Sequence, residues 1–140
     1  MSRRYTREIL FKILYQVDIT KFTYAEAKEN ILVGKPLKTT EEIFLNDVLK
    51  IIDDRHNSAY VDSLISKFST GWSMQRISKV DLAILRVALF EILYCEDIPP
   101  SVSINEAVEL SKKYSGEYAG KYINGVLGSI NRHLVETTPG

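Results

Sequence analysis

Four cations crowd the start of the chain, Arg3, Arg4, Arg7 and Lys12, with only Glu8 set against them. Arg3 and Arg4 stand four and three positions before Arg7, so a helix places several of these groups on one side. Such a side can follow a phosphate backbone, each contact adding a salt-sensitive attraction. Tyr5 and Tyr15 place aromatic surface nearby. A second group lies towards the other end: Lys112, Lys113, Tyr118, Lys121, Tyr122 and Asn124. Tyrosine faces stack on unpaired bases, lysines hold phosphates, and an asparagine amide bonds a base edge. Each residue also has a plainer use, core packing for Tyr122 and a solvated face for Lys112 and Lys113. The two groups bear on nucleic acid only if the fold brings them together.

Catalysis has no comparable seat. His56 and His133 stand in polar contexts without an HExxH or other paired metal spacing. Gly34-Lys35 lacks the upstream glycine of a phosphate loop, and Pro36 follows where serine or threonine is required. Asp53 and Asp54 are adjacent, so on a helix they diverge by about 100° and cannot share one substrate. No GxSxG or GxGxxG occurs. No enzyme, metal or cofactor is expected. Cys95 is the only cysteine, which excludes an internal disulfide and a CxxC site. Its apolar neighbours Leu89, Phe90, Ile92 and Leu93 suggest a small core residue. No apolar stretch approaches the roughly 18 residues of a membrane span, and no apolar signal core follows the basic start. A cytoplasmic protein is expected. The net charge is zero, with 45% hydrophobic and 26% charged residues. This is the profile of an ordinary globular chain, and 140 residues suffice for one domain with its own core.

The elements that position these side chains are helices. Ile9, Ile13 and Val17 with Leu10 and Leu14 make a wide stripe of period 3.6 over about Arg3 to Ile19. A short helix follows over about Tyr24 to Leu32, stopped by Gly34-Lys35-Pro36. Thr39 or Thr40 suits the cap of a third, and Asn57 or Ser58 that of a fourth. Gly71-Trp72-Ser73 breaks the chain. Ser78 then caps a helix that is apolar nearly all round, from Val80 to Leu93, and therefore central. Asp97-Ile98-Pro99-Pro100 stops it, and Ser103-Ile104-Asn105-Glu106 reads as a capping box for the next helix. Gly116 breaks the chain again before a last helix over about Glu117 to Val135, in which Gly125 is read as a close-packing position and Arg86, earlier, as a structural ion-pair residue. The expectation is an all-α, compact bundle of about seven helices. It forms one domain over residues 1–140, with sub-bundles of about 1–70 and 71–140.

Several stretches then carry a resemblance: Arg4-Tyr5-Thr6-Arg7-Glu8-Ile9-Leu10-Phe11, Trp72-Ser73-Met74-Gln75-Arg76-Ile77, Val80 to Glu91, Val102 to Leu110, and Gly120-Lys121-Tyr122-Ile123-Asn124-Gly125-Val126-Leu127. In this order and spacing the chain resembles the NusB family of transcription antitermination factors, almost end to end and least over residues 20–60. The resemblance implies binding of boxA-type RNA from ribosomal RNA leaders, together with NusE, a small-subunit ribosomal protein, and indirect contact with RNA polymerase and other Nus factors. It implies RNA contacts at Arg3, Arg4, Arg7, Lys121 and Tyr122, and a NusE-facing surface at Tyr15 and Asp81. Tyr118 and Gly128 depart from the family pattern, which commonly has acids there. A homodimer that hides the RNA surface stays open. So do two other readings: an RNA-targeting NusB-like domain of a ribosomal RNA cytosine methyltransferase, and a helical interaction module without an RNA role.

Overall fold

A computed structural model describes residues 3–69 and 74–137. The Gly71-Trp72-Ser73 break lies outside them. Among the described residues are seven α-helices, a 3-10 turn at Met74–Arg76, and no strand. The helices are α1 (Arg3–Thr20), α2 (Tyr24–Ile31), α3 (Thr39–Asp53), α4 (Arg55–Phe68), α5 (Lys79–Tyr94), α6 (Pro100–Tyr114) and α7 (Ala119–Thr137). All-α architecture is what the apolar spacing requires.

α5 is the hub, as its uninterrupted apolar surface demands. Leu82, Ala83, Ile84, Leu85, Val87, Ala88, Leu89 and Phe90 are all buried. It packs against α1, α3, α4, α6 and α7. The buried apolar residues of all these helices form one continuous cluster, and each Leu or Ile fully buried in it contributes about 1.5–3 kcal/mol. Ser78 caps α5 as expected, its hydroxyl accepting from the Asp81 amide at 3.0 Å.

Three helix starts differ from the sequence reading, each for a local reason. α6 begins at Pro100, not at Ser103, because proline suits the first helical position, where its missing N–H is not needed. Ser103 is thereby carried inside the helix, where its hydroxyl donates to Glu91 at 3.1 Å. Asp54, rather than Asn57 or Ser58, caps α4 by accepting from the His56 and Asn57 amides. Asn57 and Ser58 turn backwards and donate to the carbonyls of Ile51 and Ile52 at the end of α3. α3 opens at Thr39 after Lys38, whose amide donates to the Glu41 carboxylate. α2 carries a complete capping box that the sequence reading missed: Thr23 accepts from the Glu26 amide and Glu26 from the Thr23 amide.

Glycine packing also falls elsewhere. Gly125 is exposed, and nothing lies within 4 Å of where a side chain would begin. The close approach of α6 and α7 is at Gly120, where a Cβ would stand 3.4 Å from Val108 and 3.6 Å from Ser111. Gly116, at φ +125°, makes the left-handed turn between those helices.

Two ion pairs tie the bundle across long sequence separations. Arg7 Nε donates to both Glu91 oxygens at 2.9 and 2.7 Å, and Glu91 is completely buried. Arg86, as anticipated, is a structural residue: it grips Asp62 with two hydrogen bonds of 2.9 and 3.0 Å and stands 3.8 Å from Asp18. Cys95 is half-buried, and burial pushes its thiol up to about 11, so it stays protonated and unreactive. Removing one partner of a buried pair strands the other charge, at a cost of about 3–5 kcal/mol. Arg7→Ala should therefore lower unfolding free energy by about that amount in urea, while Arg4→Ala, which removes an exposed partner at the start of α1, should cost much less.

Candidate nucleic-acid interface

The first helix and the sixth build a groove between them. Arg4, Arg7 and Glu8 come from α1, and Glu106, Glu109, Lys112 and Lys113 from α6. The cations expected to hold phosphate are thus gathered, but with carboxylates among them. Arg4 makes a two-pronged contact with Glu106, Nε to Oε1 at 2.9 Å and Nη2 to Oε2 at 2.8 Å. Lys113 donates to Glu8 at 2.7 Å, Lys112 pairs with Glu109 at 3.4 Å, and Lys12 stands 4.0 Å from Glu8. Arg7 is 94% buried; it lies at the floor with Nη1 3.6 Å from Glu106. It is a residue that positions Glu91 and Glu106, not an open phosphate ligand. Arg3 leaves this groove altogether. Its guanidinium lies 3.9 Å above the Phe44 ring and 3.3 Å from Asp97, joining α1 to α3 and to the loop before α6.

The electrostatics follow from these pairings. The hydrogen bond and charge of Arg4, with Arg7 behind, outweigh burial and hold the Glu106 carboxyl below its ordinary value. Burial alone would push Glu8 up, but hydrogen bonds from Lys113 and Tyr114 and the nearby lysine charges bring it below its ordinary value. Both carboxylates are charged at neutral pH, so the groove is close to charge-balanced.

A second groove opens where α7 meets α5 and the 3-10 turn. Arg76, Ile77, Ser78, Asp81, Tyr118, Ala119 and Tyr122 line it. Tyr118 is 86% exposed. Tyr122 is half-buried, and its hydroxyl shares a hydrogen bond with Ser69 at the end of α4. That bond orients the phenol while the ring lines the groove. Asp81 has one carboxylate oxygen buried and without a hydrogen-bond partner among the described residues. Lys121 and Asn124 are exposed on α7. Tyr15 lies elsewhere, half-buried with its ring 6.3 Å from that of Phe11, which in turn packs on Tyr114 at 4.9 Å.

The grouping read from the sequence is therefore rearranged. Lys112 and Lys113 join the α1 cations and not the α7 tyrosines. α6 stands between the two grooves: Val108 and Ser111 face Gly120 of α7, while Glu106 and Lys113 reach α1. Sequence reasoning missed Arg76, although it lies in a stretch that carries the family resemblance. It also missed the carboxylates, because Glu106 was assigned to a helix cap that Pro100 makes unnecessary.

The model of the NusB family matches residues 4–132. The chain belongs to the NusB family. It is 47% identical over 130 residues to the transcription antitermination protein NusB of Acetivibrio thermocellus, covering 93% of this chain and 88% of that one. The corresponding protein of Pelotomaculum thermopropionicum is 44% identical over 140 residues, covering 99% and 95%. Among solved structures, T. maritima NusB superposes with a TM-score of 0.83 at 34% identity, over 94% of this chain and 92% of that one. A chain of a crystal structure of antitermination factors NusB and NusE in complex with dsRNA gives 0.83 at 25% identity, over 94% and 96%. The NusB fold thus accounts for both grooves, since their walls are α1, α5, α6 and α7.

Because Glu8 and Glu106 have lowered values in the folded chain, their pairs stabilise it above the ordinary carboxylate value of 4.5. That contribution is lost as pH falls through the lower folded values. Denaturation midpoints should hold from neutral pH down to about 4.5 and then drop as pH falls towards the lower folded values. Glu8→Gln should make the drop shallower, as read by circular dichroism at a series of pH values.

Proposed function

We propose that this chain is a transcription antitermination factor without catalytic activity. It binds boxA-type single-stranded RNA of ribosomal RNA leaders together with NusE and helps RNA polymerase and its other Nus factors pass terminators. Its place of action is then the cytoplasm, in keeping with the absence, among the described residues, of any helix long and apolar enough to cross a membrane. The observation that carries the reading is the α7 groove, lined by Tyr118, Tyr122 and Arg76, with exposed Lys121 next to Tyr122 in the chain. Aromatic faces flanked by cations bind unpaired bases and their phosphates with little need for a duplex.

In this assignment Tyr122 and Tyr118 offer stacking faces, Lys121 and Arg76 hold phosphate, and Asn124 reaches a base edge. Arg4, Lys112, Lys113 and Lys12 extend the phosphate track along the other flank of α6. Arg7 supports that track from below, and Arg3 anchors the helix that carries it. Tyr15 and Asp81 face NusE. The methyltransferase alternative is the weaker one, because the relatives matched at 47% and 44% identity are transcription antitermination proteins.

Fluorescence anisotropy with labelled boxA-type RNA, with and without NusE, tests the proposal. Binding should be measurable alone and tighter with NusE. Tyr122→Ala should weaken it by about 1–3 kcal/mol with helix content unchanged. No binding under either condition would refute the reading, and loss of fold in Tyr122→Ala would show the ring to be core.

A further inference from the structure

The Arg4–Glu106 pair has the geometry with which an arginine fork grips phosphate, two parallel N–H···O contacts of 2.9 and 2.8 Å. The two partners are not equally free. The Arg4 side chain is 75% exposed, whereas that of Glu106 is 15% exposed and is held from behind by Arg7 at 3.6 Å. The carboxylate is the enclosed member of the pair and the arginine the solvent-facing one. Glu8 stands in the same relation to Lys113, with side chains 22% and 61% exposed and the ammonium 2.7 Å away.

A phosphate that uses Arg4 must therefore take it from an enclosed carboxylate, and then sits beside the negative charge left behind. We infer that Glu106, and Glu8 at the other end of the groove, are resident competitors for phosphate that limit the affinity of the α1–α6 groove for single-stranded RNA. The inference rests on the RNA-binding reading above. It assigns to these glutamates a role opposite to that of the cations they touch. The low carboxyl values of both residues agree with it, since a competitor must be charged when RNA is present.

Exchange of carboxylate for phosphate also has a salt signature. When Arg4 leaves Glu106, that carboxylate takes up a cation from solution, which cancels part of the counterion release that drives binding. Replacing Glu106 by glutamine removes the uptake. Glu106→Gln in the full chain should bind boxA-type RNA about three- to tenfold more tightly at low salt. The slope of log affinity against log salt should steepen by about one. Arg4→Ala should weaken binding more in the Glu106→Gln background than in the wild type, because only there is the arginine unclaimed. A merely structural Glu106 would move neither the slope nor this coupling. A Glu106→Gln chain with wild-type helix content, unchanged affinity and unchanged slope overturns the inference. If that variant does not fold, the same readouts on Glu8→Gln, at the opposite end from the buried pair, decide it in the same sense. Absence of RNA binding by the wild type and both variants alike refutes the RNA-binding reading, and this inference with it.

Discussion

The buried contact between Arg7 and Glu91 is the constraint on which the rest of the molecule depends. An ion pair taken out of water is stable only when its remaining hydrogen-bonding capacity is met. Here Glu91, on the central helix, accepts two bonds from Arg7 of α1 and one from Ser103 of α6. Arg7 and Ser103, 84 and 12 residues from Glu91 along the chain, thereby fix three helices at one point. The apolar core around it contributes most of the free energy, but it is tolerant of small rotations. The charged contact is directional, so it sets which side of α1 faces α6. Arg4, one turn before Arg7, must then meet Glu106, and Glu8, next to Arg7, must meet Lys113.

This division explains why two kinds of recognition surface stand side by side. On one flank of α6 the cations are numerous and matched by carboxylates. On the other flank, at the start of α7, exposed Tyr118 and half-buried Tyr122 line a groove with Arg76 and Asp81. Stacking falls off steeply with distance, while phosphate attraction reaches about 10 Å at ordinary salt.

Much of the fold was legible in the sequence because it rests on local pattern. The stripe of Ile9, Leu10, Ile13 and Leu14 and the all-round apolar surface of α5 are statements about periodicity, which burial enforces directly. The Ser78 cap is a contact three residues long. What was not legible depends on competition or on distance along the chain. Ser103-Ile104-Asn105-Glu106 has the form of a helix start, but Pro99-Pro100 offers an earlier one, and the motif is used for tertiary contacts instead. Gly125 and Gly120 look alike in sequence, and only the facing Val108 distinguishes them. The site suffered most: the cations were found, but Glu106 lies 102 residues from Arg4 and Glu91 lies 84 from Arg7. No spacing rule connects such pairs, so the burial of Arg7 against Glu91 is not legible in the sequence.

The account stands on the claim that the two flanks of α6, and no other part of the bundle, receive RNA. Backbone amide chemical shifts of the full chain, followed by NMR during titration with boxA-type RNA, test this directly. The largest shifts should fall at the start of α1, along the second half of α6, and from Tyr118 to Asn124. Shifts concentrated instead on α2, α3 and the exposed face of α4 would contradict it.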